Sequence, residues 1–174
     1  MSTAIARETT VKMTDDLASA FNDQVTMELA SSVAYLQMSA HFEAENLTGM
    51  AAWMRMQSEE EKEHAHRFLE FVLDRGNLVS LGSIDAPRPT FDSVEQVFAA
   101  ALQQEQAVTR AIHELYRLAS DRGDLASFPF LQSFIEEQNE EEATVETILE
   151  RVRLAGGESS AILLLDNELG ARGS

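Results

Sequence analysis

The chain has 174 residues, 44% apolar and 25% charged, with 3 Pro, 8 Gly and no cysteine, which suits one helical domain with a real core and excludes disulfides, iron–sulfur clusters and thiolate zinc sites. A formal net charge of −17 argues against nucleic acid or an anionic membrane as partner and favours cations. No apolar run is long enough to span a bilayer and Met1–Met13 carries no signal-type stretch, so a soluble cytoplasmic protein is expected.

Residues 1–13 read as a flexible N-terminal tail ahead of a single domain, 14–174. The first helix is predicted from Thr14, an N-cap with Asp15 and Asp16 in the first turn, to about Glu45. The second runs from Thr48 to Arg75 and stops at Gly76-Asn77. Residues 77–91 carry Gly82, Pro87 and Pro89 and read as a long connection. The third helix starts at Asp92 or Ser93, has Glu95 in its first turn and ends near Arg122-Gly123. The fourth runs from about Leu125 to Ala155 before Gly156-Gly157, with Pro129 in its opening turn or so, where a missing N–H costs least. Short links near Asn46 and Asp124 make two antiparallel hairpins, and the long connection joins them as one crossover. The predicted fold is an all-α four-helix bundle with a crossover between helices two and three. A short fifth helix, Glu158–Leu169, follows. Its Ala161–Leu165 run is too apolar to stand free in water and too short to span a membrane. It is either a cap on the bundle end or a subunit contact.

The bundle seams carry acids. A seven-residue step returns to nearly the same helical face. On that step Glu28 lies between Phe21 and Tyr35, and Glu61 between Met54 and Phe68. Glu105 lies between Phe98 and Ile112, and Glu141 between Phe134 and Ile148. Each acidic run by itself reads as a solvated face. One mid-length seam carboxylate on each of the four helices does not, because lone buried carboxylates are too costly. A cation pair among them accounts for all four. Glu61 and His64 form a Glu-x-x-His pair on one face. Imidazole and carboxylate both suit iron, and a carboxylate can bridge two metals. Gln138 lies on the inward line of Leu131, Val145 and Val152. Tyr35, two turns after Glu28, is placed to donate a hydrogen bond to a ligand or an electron to the reaction.

At these residues the chain resembles the bacterial non-haem ferritins over nearly its whole length. The matching stretches are Met27–Ser32 with Tyr35, Glu60-Glu61 with His64, Glu105-Gln106 and Glu137–Glu142. Leu154–Gly157 and Asp166–Leu169 match as well. The resemblance implies the ferritin-like fold and a homo-oligomeric hollow shell of about 24 subunits with the fifth helix at the four-fold axes. It implies iron storage and detoxification, with Fe(II) oxidised by dioxygen or peroxide and kept as ferric mineral. Carried over, the first iron site is Glu28, Glu61 and His64. The second is Glu61, Glu105 and Glu141, with Glu61 bridging and Gln138 beside it. A third, outer site maps to Glu60, Glu137, Glu140 and Glu141. The haem-binding relatives place a Met directly after the bridging Glu. Here that residue is Lys62, so no haem is expected. The acidic three-fold channel positions of animal ferritins fall on Phe128 and Leu131, which puts that entry route in doubt. An oxidase of organic substrates, a DNA-protecting mini-ferritin and a purely structural bundle are the rival readings.

Overall fold

The computed structural model describes residues 11–171. Its elements are α1 (Asp15–Ala44), α2 (Thr48–Asp74), α3 (Val94–Asp121), a 3-10 turn (Leu125–Ser127), α4 (Phe128–Ala155) and α5 (Ser159–Ala171). Among the described residues there is no strand, and no helix is long and apolar enough to cross a membrane. The all-α fold and its five helices follow the sequence. The expected tail lies mostly outside the described residues, but its last part is anchored. Met13 is buried, its N–H donates to Asn77 Oδ1 at 3.0 Å, and Arg75 Nε donates to the Val11 carbonyl at 2.8 Å.

Local chemistry sets the ends. Thr14 occupies the N-cap of α1, yet its side chain caps no N–H; Asp16 instead accepts from Leu17 N at 3.0 Å. Ser93 caps α3 through Gln96 N at 3.2 Å. The fourth helix starts later than expected. Asp124 accepts from Ser127 N at 3.2 Å and from Ser127 Oγ at 3.1 Å. That tightens residues 125–127 into a 3-10 turn and leaves Pro129 in the first turn of α4. Asn46, at φ 60°, turns α1 into α2, a left-handed conformation that Asn tolerates better than most residues.

The crossover is laid along α1. Asn22 holds both sides of it, donating to the Leu78 carbonyl at 3.0 Å and accepting from Ser80 N at 3.1 Å. Gly82 N donates to Thr26 Oγ1 at 2.9 Å, and Gln37 reaches the Pro89 carbonyl at 3.4 Å. The link therefore climbs α1 from Asn22 to Gln37 and delivers α3 antiparallel to α4.

The fifth helix caps one bundle end and leaves an apolar face outside. Leu165 and Leu169 are buried in the main core, while Leu163 and Leu164 are exposed. Asp166 Oδ1 accepts the Met50 N–H at 2.7 Å. Leu47, the N-cap of α2, supplies no side-chain cap of its own, so α5 provides it. Contact here requires glycine: a Cβ on Gly49 would fall 1.9 Å from the Asp166 carbonyl oxygen.

The apolar interior is two cores rather than one. Tyr35, Phe42, Met50, Trp53, Met54, Phe98, Ile148 and Leu149 pack together towards the α5 end. Leu17, Phe21, Val25, Phe68, Val108, Ile112, Leu131 and Phe134 pack towards the other. The break between them is the layer of seam acids.

Candidate metal centre

Each helix contributes to that layer because each seam residue is flanked by apolar residues one heptad either way. Glu28 and Glu105 are 0% exposed, Glu61 and Gln138 1% and His64 4%. The fourth helix departs from expectation in depth. Glu141 is only half-buried, although Phe134 and Ile148 one heptad either side of it are buried, as are Leu131, Gln138 and Val145. Leu131 is buried in the core, and Phe128 is half-buried.

One oxygen from Glu28, one from Glu61 and one nitrogen of His64 lie within 4.8 Å of one another. Several of the atoms in this cluster are buried without a hydrogen-bond partner: Glu28 Oε2, both oxygens of Glu61, and His64 Nδ1. Gln138 Oε1 is the fifth such atom. Buried polar atoms without partners are costly. Those of Glu28, Glu61 and His64 converge, and carboxylate oxygens and an imidazole nitrogen can each offer a lone pair. A cation of oxygen and imidazole preference would satisfy them. The donor set fits iron.

The second half of the layer is held by hydrogen bonds. Tyr35 Oη donates to Glu105 Oε1. Gln138 Nε2 donates to Glu105 Oε2 at 3.1 Å and to the Glu105 carbonyl at 3.3 Å. Gln24 Nε2 holds Glu28 Oε1 at 2.8 Å, and Gln57 Nε2 holds Glu141 Oε2 at 3.0 Å. Sequence reading had missed Gln24 and Gln57. The signal was available, since each lies one turn before a seam Glu, on the same face.

The residues mapped to an outer site are placed differently. Glu60 and Glu140 are exposed. Glu137 is half-buried and bound to Arg67, with Nη1 to Oε2 at 2.6 Å and Nη2 to Oε1 at 3.0 Å. Its Oε2 lies 3.4 Å from His64 Nε2. Sequence reading had also missed Arg67.

Electrostatics follow from the layout. Burial, then the charge of Glu61, drives the Glu28 carboxyl well above the usual range. Burial, with Glu105, Glu141 and Glu60 nearby, pushes Glu61 up to about 8. Burial raises Glu105 against the opposing bonds from Tyr35 and Gln138. Glu141 rises to about 7 through burial and the charges of Glu60 and Glu105. Burial and Glu105 keep the Tyr35 phenol protonated. Without a cation the layer holds protons; a bound cation displaces them.

A helical bundle with an interior belt of carboxylates and one imidazole is a protein built to take cations into its core. Residues 18–155 match the ferritin-like domain family, and the chain belongs to the ferritins. It is 34% identical over 160 residues to the bacterial non-heme ferritin of Bacteroides fragilis, covering 92% of this chain and 99% of that one. It is 34% identical over 148 residues to that of Escherichia coli, covering 85% and 90%. Among solved structures it superposes on an open pore ferritin of Archaeoglobus fulgidus with TM-score 0.89 and 37% identity, covering 91% of this chain and 96% of that one. Iron storage is the function this membership supports.

Proposed function

We propose that this chain is a ferroxidase subunit that takes two Fe(II) ions as substrates inside its bundle. Glu28, Glu61 and His64 receive the first ion. Glu61, Glu105 and Glu141 receive the second, with Glu61 shared and Gln138 beside it. Carboxylates are hard, anionic ligands that favour Fe(III) over Fe(II). Each iron gives one electron to dioxygen, which takes up two protons and leaves as hydrogen peroxide; peroxide serves as oxidant in the same way, giving water. Tyr35 holds the Glu105 carboxylate through its hydroxyl and is an oxidisable aromatic in contact with that ligand. Ferric iron then passes by Glu141, Glu60 and Glu140, with Glu137 joining them only when its carboxylate leaves Arg67, to a mineral store within a homo-oligomeric shell of about 24 copies. The exposed Leu163 and Leu164 of α5 supply contact surface for that assembly.

The observation that carries this reading is Glu61, whose two oxygens are buried and unpartnered between the Glu28–His64 pair and Glu105. The test is rapid mixing of metal-free protein, preloaded anaerobically with two Fe(II) per chain, against aerated buffer. A fast phase saturating near two irons per chain and lost in Glu61→Ala is expected. Equal slow oxidation in both proteins would leave the belt without a catalytic role.

A further inference from the structure

Arg67 stands one turn beyond His64 on α2, and its guanidinium is held on three sides. It binds both oxygens of Glu137 at 2.6 and 3.0 Å and Ser133 Oγ at 3.2 Å, and Ser133 in turn donates to the Phe130 carbonyl at 2.8 Å. Its Cζ lies 4.0 Å above the centre of the Phe134 ring. A planar fork bound bidentately and stacked on an aromatic face has little freedom. Glu137 is thereby fixed as well, and its Oε2 is kept 3.4 Å from His64 Nε2.

This matters for the imidazole. A neutral histidine carries a hydrogen on one nitrogen and a lone pair on the other, and the environment of one decides what the other offers. A carboxylate facing Nε2 attracts an N–H there and repels a lone pair. The lone pair then falls on Nδ1, which is buried, without a hydrogen-bond partner and 3.8 Å from Glu61 Oε2. Phe134 also stands edge-on to the imidazole at 5.4 Å and 78°. The ring that Arg67 covers thus also packs against His64 and limits its rotation.

We propose that Arg67 is a positioning residue for the metal centre: through Glu137 and Phe134 it fixes the tautomer and rotation of His64, so that Nδ1 presents its lone pair to the cation. The proposal rests on the reading that His64 is a metal ligand, and its test separates the two. Histidine-labelled, metal-free protein is examined by solid-state nitrogen-15 spectroscopy; with 4 histidines in the chain the spectrum is sparse, and His64→Ala assigns the signal. Cobalt(II), which binds without being oxidised under anaerobic conditions, then reports affinity by equilibrium dialysis.

The wild type is expected to show His64 with its hydrogen on Nε2 alone. Arg67→Ala should give a tautomer mixture and weaken the tightest cobalt site about ten-fold, the scale on which outer partners of ligating histidines act. Arg67→Lys, which keeps a cation beside Glu137, should recover part of both effects. If Arg67→Ala does not assemble, Glu137→Gln in metal-free protein carries the test and should give the same mixture. An unchanged His64 signal in whichever variant assembles, or in Arg67→Ala a cobalt affinity within two-fold of wild type, overturns the proposal. If His64→Ala itself leaves cobalt affinity unchanged, the ligand reading fails instead, and the proposal falls with it.

Discussion

Glu61 makes the metal-free protein sensitive to pH in a direction set by its burial. Its carboxyl is raised from an ordinary 4.5 to about 8, first by desolvation and then by Glu105. Between those values the folded chain keeps a proton that the unfolded chain gives up. Stability from this group is therefore fully present below 4.5 and is lost as pH rises towards 8. The slope is about 1.4 kcal/mol per pH unit, which gives roughly 3–4 kcal/mol between pH 5 and pH 8 if Glu61 titrates alone. Glu28 and Glu105 share the same protons, so the part assignable to Glu61 is smaller, about 2–3 kcal/mol. For a chain of this size that corresponds to a fall of about 4–12 °C in melting temperature. The perturbation is Glu61→Gln, which keeps the shape and removes the charge. Scanning calorimetry of metal-free wild type and variant at pH 5, 6, 7 and 8 should show near-equal melting at pH 5 and a more stable variant at pH 8. Zinc(II), which binds without redox chemistry, should reverse the wild-type loss at pH 8 and act much less on the variant. Parallel melting curves across the range, with equal zinc response, would mean that Glu61 is not an unpaired buried acid.

Other perturbations test other parts of the chain. Tyr35→Phe removes the hydroxyl that holds Glu105 and should cost about 1 kcal/mol in metal-free protein, read by chemical denaturation, and slow the fast oxidation phase in stopped flow. Gly49→Ala puts a methyl 1.9 Å from the Asp166 carbonyl oxygen and should expel α5; limited proteolysis within 159–171 and loss of assembly by analytical ultracentrifugation are the readouts. Asp166→Ala keeps the space and removes only the cap on Met50, so it should cost about 1 kcal/mol and leave α5 docked. Asp124→Asn leaves the buried Arg75 without the carboxylate it binds at 2.7 and 2.9 Å and should cost about 3 kcal/mol by thermal melting. Burial works against the Asp124 charge, but the Arg75 bonds outweigh it and hold its carboxyl below the usual range. Its stabilisation is therefore present at neutral pH and lost as acid protonates it.

Much of this arrangement was legible in the sequence because helices announce their ends. Gly76, Gly123 and Gly156 stop α2, α3 and α4 where expected, and the heptads around Glu28, Glu61 and Glu105 place those acids at 0–1% exposure. The fourth helix was read less well. Phe134–Glu141–Ile148 and Leu131–Gln138–Val145 are both seven-residue lines on neighbouring faces. Periodicity places both lines inward but cannot say how deep each polar side chain on them sits, because that depends on how the helix is rotated by its neighbours. Both lines are buried, at Phe134 and Ile148 as at Leu131 and Val145; Gln138 bonds the Glu105 carboxylate, whereas Glu141 sits half-buried and accepts from Gln57. Arg67 was illegible for a related reason. In the sequence it closes a charged run, and only the α2–α4 packing brings Ser133 and Glu137 onto it.

The bundle tolerates an unsatisfied belt because its two cores are complete on either side of it. Towards α5, Phe42, Trp53 and Phe98 pack ring to ring, with Trp53–Phe98 centroids 5.9 Å apart and Phe42–Phe98 centroids 5.8 Å apart. At the other end Phe21, Phe68, Phe71, Phe130 and Phe134 form a cluster with centroids as close as 4.3 Å. Aromatic burial of this extent contributes several kcal/mol at each end. Both hairpins are therefore clamped above and below the acids, and the belt itself need not stabilise the fold. It can remain a poor environment for its own carboxylates, and this is the condition for binding a cation strongly. A belt neutralised by internal ion pairs would be more stable empty and have less to gain from metal. Arg67, beside the belt, is bound to Glu137 and stacked on Phe134 rather than turned inward, so the charge at the centre is left to the incoming ion.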